Sequence, residues 1–343
     1  MVKRTRVLKN DRLSRIPDGI LSQILSSLDT KHAVQTCILS KRWKYLWTSL
    51  PSLNFYSTSF KKLSSFNRFV QHVLTLRDHS VRLTNFNFSR RGSMNWRLFN
   101  KVINFTQSHN VENLYFHFED IGDCGFPNYL YSSYSLKKLQ ISFGYSQSLR
   151  KPLYFEELTI LNLKVVSFIK PDLFSSCPKL VELTIVNCSF DLDTLTICAP
   201  QLARLNISYC SGRENGCKIA LLAPKLTLFT LDACHPLMLS KNDLPLVDTQ
   251  IINLHVYLPR TPDVREKKLT LDLISMLHCL HKARSVILSF DTIESIYDCD
   301  DLLNNSPDAE IVMDFPRCQY CFFVNELDEF ANKRNSRHTH AVG

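Results

Sequence analysis

Glycine is scarce, at 8 residues in 343. It supplies the positive-φ positions of tight hairpins and the bare backbone that lets a loop cradle phosphate. A hairpin-rich fold or a glycine-loop nucleotide site is therefore not expected. No G-x-x-x-x-G-K-[ST], G-x-G-x-x-G or G-x-S-x-G occurs, and the segment GYSQS from Gly144 lacks the second glycine. The P-loop, dinucleotide and hydrolase-elbow signatures are thus missing. No run approaches the 18 or so apolar residues of a membrane span, so no membrane partner is expected. The opening MVKRTRVLKN has the charge of a signal peptide's start but no apolar stretch behind it. Without export, the N-x-S/T triplets beginning at Asn87, Asn104, Asn187 and Asn206 are chance. The twelve cysteines then read as mostly buried thiols in a reducing compartment, cytoplasmic and/or nuclear.

Dense charge of one sign is also lacking. The formal net charge is +9, with small basic clusters at Lys3–Arg6, Lys41–Lys44 and Lys333–Arg337. A nucleic-acid platform shows tighter basic clustering than this, so the cationic excess reads as a solvated surface. Hydrophobic residues make up 45% and charged ones 21%, enough for a chain this long to bury a core without disulfides.

Two of the three tryptophans, Trp43 and Trp47, stand four apart in LSKRWKYLWTSLP, a spacing that puts both indoles on one helical face. The surrounding segment parses into three short helices. Pro17 suits a first-turn position, and Ile20, Leu21, Ile24, Leu25 and Leu28 follow at helical spacing. Gly19 weakens this helix by roughly 1 kcal/mol against alanine, so tertiary contacts must hold it. Thr30 reads as the cap of a second helix carrying Ala33, Val34, Cys37 and Ile38. Ser40 reads as the cap of a third, with Trp43, Leu46 and Trp47 inward and Lys41, Arg42 and Lys44 outward. Helices this short are unstable alone. The segment offers more apolar side chains than so small a unit can enclose, which is the signature of a docking module.

The segment DRLSRIPDGILSQILSSLDTKHAVQTCILSKRWKYLWTSLPSLNF resembles the F-box of the large plant F-box/leucine-rich-repeat family (RNI-like, FBD-type). The match runs through D-R-[IL]-S-x-[LI]-P-D-x-I-L, the leucine-rich turn and T-K-x-A-V-x-T-x-x-L-S-K-R-W-x-x-L-W, with mild departures at Ile16 and Cys37. The resemblance implies a surface for a Skp-type adaptor and, through it, a cullin and a RING protein. Carried over by position, Leu13, Ile16, Pro17, Ile20, Leu21, Ile24, Leu25, Val34, Leu39, Ser40, Trp43, Leu46 and Trp47 form that contact. How these side chains divide between the adaptor and the chain's own core is left open by the sequence.

Behind this segment a pattern recurs. LVELTIVNC from 180, LARLNISYC from 202 and LTLFTLDAC from 226 fit L-x-x-[LF]-x-[LI]-x-x-C, and LKKLQISFG from 136 and LTILNLKVV from 158 fit apart from the last place. The starts are spaced 22, 22, 22 and 24 residues apart, with looser copies from Leu83, Val111, Ile251 and Ala283. Such a period predicts a solenoid in which each L-x-L core is a short strand of a parallel sheet. The terminal cysteine fits where a small apolar side chain packs as the chain turns away. The Cys177–Pro178, Ala199–Pro200 and Ala223–Pro224 pairs mark the return into the next strand. This pattern also resembles the repeats that follow the F-box in the same family, and segments such as DLFSSCPKL are expected to form irregular convex-side helices.

The predicted architecture is α/β, an N-terminal three-helix F-box followed by a leucine-rich-repeat solenoid with a curved parallel sheet. The expected divisions are an F-box over 8–53, a helical linker over 54–80, repeats over 81–300 and a partly disordered tail over 301–343. The tail fits no repeat, and no further C-terminal FBD module is expected. From the strand phase, the open face carries Gln140, Asn162, Thr184, Asn206, Thr230 and His255, flanked by Lys138, Glu182, Arg204 and Tyr257. These are the candidate target-binding residues.

Catalytic and metal chemistry find no support in the sequence. Cys318 and Cys321 form a lone C-x-x-C, and His338 and His340 stand too close together for the usual zinc pair. His278, Cys279 and His281 lie in a leucine-rich pattern and read as packing. No catalytic residue, metal or cofactor is expected. The leading reading is a specificity subunit of a ubiquitin ligase that acts by holding a target close. A nucleic-acid-binding repeat protein, and an adaptor-binding protein without a ligase role, are the alternatives.

Overall fold

The computed structural model describes residues 15–122, 126, 128–213, 217–233, 238–239, 251–256 and 285–288. Leu13, Tyr257, the tail over 301–343 and the cysteine and histidine groups from His278 onward lie outside the described residues. The chain divides into two compact units, Met1–Val181 and Glu182–Gly343.

The first unit opens with three helices: α1 (Asp18–Ser26), α2 (Thr30–Gln35) and α3 (Trp43–Leu46), the last extended by a turn over Trp47–Ser49. Leu21 and Leu25, one turn apart on α1, are buried with Ala33, Trp43, Trp47 and Leu50, and α1 packs on α3 and the turn after it. The cap of α2 is Asp29 rather than the expected Thr30: its carboxylate accepts from the His32 N–H at 2.7 Å. Thr30 is buried, and its hydroxyl accepts from the Asn54 N–H at 2.7 Å. Ser40 caps nothing with its side chain. Arg42, expected outward, reaches back to α1, donating to Asp18 Oδ1 at 2.6 Å and to the Ile16 carbonyl.

Seven strands follow among the described residues of this unit, five of them in one parallel sheet. In chain order the elements are β1 (Ser52–Tyr56), α4 (Leu63–Leu76), β2 (Asn85–Ser93), α5 (Trp96–Ser108), β3 (Asn113–Asp120), β4 (Ser132–Ser133), β5 (Lys138–Leu149), β6 (Tyr154–Phe155) and β7 (Ile160–Phe168). The main sheet runs β1-β2-β3-β5-β7, and β4 pairs with β6 separately. Alternation along each strand buries one side, as β2 shows with Phe86, Phe88 and Arg90 inside and Asn85, Asn87 and Ser89 half-buried outside. Phenylalanine fills the first turns: Phe55, Phe86, Phe88, Phe116 and Phe118 stack from strand to strand, with neighbouring centroids about 5–6 Å apart. Each strand entry repeats one device, a carbonyl accepting from two consecutive N–H groups of the next strand. Pro51 O takes Thr84 and Asn85 at 2.8 and 3.1 Å, and Thr84, Glu112 and Lys137 do the same in turn.

The second unit comprises β8 (Glu182–Val186), β9 (Ser189–Phe190), β10 (Thr194–Cys198), β11 (Arg204–Gly212), β12 (Lys218–Leu222), β13 (Leu228–Ala233), β14 (Met238–Leu239), β15 (Ile251–Val256) and β16 (Ser285–Leu288). Its main sheet runs β8-β11-β13-β15-β16, all parallel, beside a small sheet β10-β12-β14. Within this unit the prolines behave as the sequence pattern predicts. Leu202 N–H returns to Ala199 O and Leu226 N–H to Ala223 O, both at 3.1 Å, so each Pro sits second in a tight turn that needs no donor from it. The first unit has the same turn at Cys177–Leu180.

The last place of the repeat has a backbone cause. Val165, Asn187 and Tyr209, spaced 22 apart, all have left-handed φ, at 59°, 51° and 54°. The reversal turns the next side chain inward, and Val166, Cys188 and Cys210 are buried. Cys188 and Cys210 donate to the carbonyls of Val186 and Ser208, both at 3.3 Å. Burial pushes the thiols of Cys177 and Cys217 up to about 11, which keeps them protonated.

Two expectations are corrected. Residues 54–80 are no linker: they hold most of β1 and all of α4, and β1 pairs in parallel with β2, so the first solenoid turn starts there. DLFSSCPKL forms turns instead of a helix. Regular helices on the buried side, α4 and α5, belong to the first two turns. Later turns use the short strands β4 and β6 or β10, β12 and β14, because their 22-residue period leaves too few residues for three helical turns between strands.

Candidate functional site: an N-terminal apolar face and two open strand faces

The helical module sorts its apolar residues sharply. Trp43 and Trp47 are each 7% exposed, and Leu21 and Leu25 are fully enclosed. The sequence left open how the apolar set divides between adaptor and core; these four are buried within the chain. Ile20 and Ile24, on the flank of α1 beside Leu21 and Leu25, are 49% and 45% exposed, and Leu28 continues their line. Ile38 at 85%, Leu39 at 56% and Tyr45 at 65% extend into water from the loop after α2 and from α3. Ile16, Val34 and Leu46 are half-buried, and Pro17 and Ser40 are exposed. Ile38 reads from the sequence as part of the second helix's apolar set, and Tyr45 was missed because a helical wheel over LSKRWKYLW groups the tryptophans and leaves it on the charged side.

Six large apolar side chains held in water stabilise nothing, and such exposure marks a surface awaiting a partner. Burial of the indoles also bears on nucleic acid. Neither ring offers a face on which a base can stack.

The module is bonded onto the solenoid. Asn54, in β1, gives its backbone N–H to Thr30 Oγ1 and its side-chain amide to the Leu28 carbonyl at 3.2 Å. Ser59 donates to Asp29 Oδ2 at 2.9 Å, and the Lys31 ammonium meets the Ser59 carbonyl and lies over the Phe60 ring. The outer edge of β1, which would otherwise present unpaired donors, is thereby occupied by the helices.

In the first unit, register aligns Asn87, Tyr115, Gln140 and Asn162 across four strands, with Asn54 beside Asn87. The candidates Gln140 and Asn162 thus sit side by side on one face, and Lys138 lies on the same face one step earlier. Asparagines chain across the strands: Asn113 donates to Asn85 Oδ1 at 2.8 Å, Asn85 to Ser52 Oγ at 2.9 Å, and Asn87 to Asn54 Oδ1. Tyr56, Tyr115 and His117 also occupy this face. They escaped the sequence reading, although the looser repeats from Leu83 and Val111 carry the same phase.

In the second unit, Thr184, Asn206 and Thr230 align, and Glu182 pairs with Arg204 both in register and as an ion pair. His255 is in register with Asp232, one step further along its strand. Among the described residues, no group of three or more metal-ligating side chains occurs and no helix is long and apolar enough to cross a membrane.

The F-box domain family matches residues 13–55. Among curated proteins, F-box/LRR-repeat protein 25 of Arabidopsis thaliana is 32% identical over 188 residues, covering 52% of this chain and 69% of that protein. A putative F-box/FBD/LRR-repeat protein of the same plant is 30% identical over 261 residues, 73% of this chain and 60% of that protein. An F-box/LRR-repeat protein, also of Arabidopsis, is 29% identical over 266 residues, 72% of this chain and 84% of that protein. The chain thus spans 60% of the F-box/FBD/LRR-repeat relative and 69% and 84% of these two F-box/LRR-repeat ones. No solved structure matches.

Proposed function

This chain belongs to the F-box/LRR-repeat family, and we propose that it is the target-recognition subunit of a Skp–cullin–F-box ubiquitin ligase. The carrying observation is the apolar set Ile20, Ile24, Leu28, Ile38, Leu39 and Tyr45, left uncovered on the F-box helices. In this reading those side chains, with Ile16, Pro17 and Ser40, meet a Skp-type adaptor. Each large one fully buried there contributes roughly 1.5–3 kcal/mol before ordering costs.

The subunit itself carries no chemistry. Ubiquitin transfer is performed by the conjugating enzyme brought in through the cullin and RING protein, and this chain raises the local concentration of the target. The open strand faces hold that target in the cytoplasm or nucleus. Bonding of the F-box helices onto β1 supports this, since a fixed adaptor-to-target geometry presents the target's lysines consistently.

The test is affinity capture of the tagged full-length chain from plant cells with proteasomal degradation blocked, followed by ubiquitylation of the captured proteins in a reconstituted ligase. Co-capture of adaptor and cullin together with a protein ubiquitylated only when this chain is present is the expected result. Adaptor capture with no ubiquitylated protein would leave an interaction protein without a ligase role, and no adaptor at all would dismiss both.

A further inference from the structure

We propose that the open face of the first unit binds an extended acidic segment of the target protein, with His117, Ser142 and Lys164 as the row that holds a carboxylate. This rests on the target-receptor reading and names the chemistry of what is received.

Strand register builds the row. Tyr56, Ser89, His117, Ser142 and Lys164 stand side by side on β1, β2, β3, β5 and β7. Every one of these side chains ends in a hydrogen-bond donor: phenol, hydroxyl, imidazole, hydroxyl, ammonium. At about 4.8 Å between strands the row is about 19 Å long, the reach of roughly six extended residues. The two rows alongside are Asn54, Asn87, Tyr115, Gln140 and Asn162, then Ser52, Asn85, Asn113, Lys138 and Ile160. All three rows lack a carboxylate, and the charges they carry are the ammonium groups of Lys138 and Lys164. Carboxamides and hydroxyls supply the remaining contacts an extended backbone needs.

The charged groups around His117 are consistent with an anion site. On β3 itself, Glu119 lies two residues on, and its carboxylate is engaged by the Gly92 N–H. The Arg91 charge on β2 and the Lys164 charge on β7, beyond Ser142, act on the imidazole, with Tyr115 two residues earlier on the same strand. Burial pushes the His117 pKa down; Glu119 opposes this, and Lys164 and Arg91 push further. A carboxylate placed over Ser142 offsets both burial and the two cations, so binding is accompanied by proton uptake and strengthens as pH falls. A peptide is favoured over a nucleic acid because the face has two lysines and the neighbouring Arg91 among amides, not the dense cation array that phosphates require.

The experiment uses the full-length chain and fluorescence anisotropy with three probes: a decapeptide alternating serine and glutamate, its serine–glutamine counterpart, and single-stranded decathymidylate. The serine–glutamate peptide is expected to bind and the other two not. Lys164→Glu, checked for an unchanged melting curve, is expected to weaken it about ten-fold or more, whereas Lys225→Glu in the second unit leaves it unchanged. Affinity should rise between about pH 8 and about pH 6, and His117→Gln should flatten that rise. Equal binding of the two peptides, full affinity in Lys164→Glu, or preference for the oligonucleotide would overturn the proposal. Adaptor capture by the same preparations reads the receptor assignment separately: peptide binding without adaptor binding removes that assignment and leaves the acidic-segment site.

Discussion

The Arg77 guanidinium donates to the Thr48 carbonyl at 3.1 Å, tying the end of α4 to the last turn of the F-box. Its second branch reaches the Val81 carbonyl at 3.1 Å, while Nε is buried without a partner. The side chain is enclosed, and burial lowers its pKa against the pull of Asp78. A cation whose hydrogen bonds go to carbonyls costs desolvation that those bonds and the Asp78 charge must offset.

Arg77→Ala takes a donor from the half-buried Thr48 and Val81 carbonyls and leaves a cavity beside them. A loss of about 1–3 kcal/mol is expected, measured by urea unfolding of the full chain. Arg77→Met, which fills the space, should lose less. An equal loss in both would show that the bonds, not the packing, dominate.

Thr30→Val keeps the shape of a buried side chain and removes the acceptor of the Asn54 N–H. Destabilisation of about 1–3 kcal/mol follows from an unsatisfied buried donor. Asp29→Ala, which removes the α2 cap, should cost about 0.5–2 kcal/mol. Thermal melts of the two variants separate capping of the helix from closure of the β1 edge. If Thr30→Val melts like the parent, the F-box does not stabilise the solenoid through this bond.

The N-terminal half illustrates what could be read in advance. Helix existence, the 22-residue period and the inward cysteines follow from spacing alone, because alternation and turn chemistry are local. The division of Leu21, Leu25, Trp43 and Trp47 from Ile20, Ile24 and Tyr45 is tertiary: it depends on where β1 lies against the helices, which no window of sequence contains. Thr30 and Asp29 were exchanged for the same reason, since either residue type caps a helix and only the neighbouring Asn54 decides between them. The start of the solenoid at β1 was hidden because its one-strand repeat, SLNFY, is followed by a 14-residue helix that reads as a linker.

Val165 and Asn187 share a left-handed backbone, but a β-branched residue is strained there and asparagine is not. Val165→Asn should raise stability and Asn187→Val lower it, each by about 1 kcal/mol. Chemical unfolding of the pair checks the opposite signs. Equal signs would mean that side-chain packing outweighs the backbone at these positions.

His109 and His79 meet at 2.9 Å between Nε2 and Nδ1, and His109 Nδ1 lies 2.8 Å from the Phe105 carbonyl. A carbonyl can only accept, so neutral His109 carries its proton on Nδ1 and accepts from His79 through Nε2. Burial, ahead of the His79 and Arg77 charges, lowers the His109 pKa despite that carbonyl; His117 is lowered by burial too. The unfolded chain therefore binds these protons more readily than the folded one. Their contribution to stability is complete above the ordinary histidine value of about 6.5 and declines as pH falls below it. The melting temperature should drop on going from about pH 7.5 to about pH 5.5, and His109→Gln should reduce the slope. A slope that the variant leaves unchanged would remove His109 from the account.

The central claim is that the outer side of the F-box helices, and not the tryptophan side, meets the adaptor. It is tested most directly by titrating a purified Skp-type adaptor into the Ile24→Asp, Leu39→Asp double variant of the full chain by calorimetry, beside the parent. With two large apolar contacts replaced by charge on an exposed face, the account predicts an unchanged melting curve and an affinity reduced by about 100-fold or more. A folded double variant that binds the adaptor as tightly as the parent would contradict it.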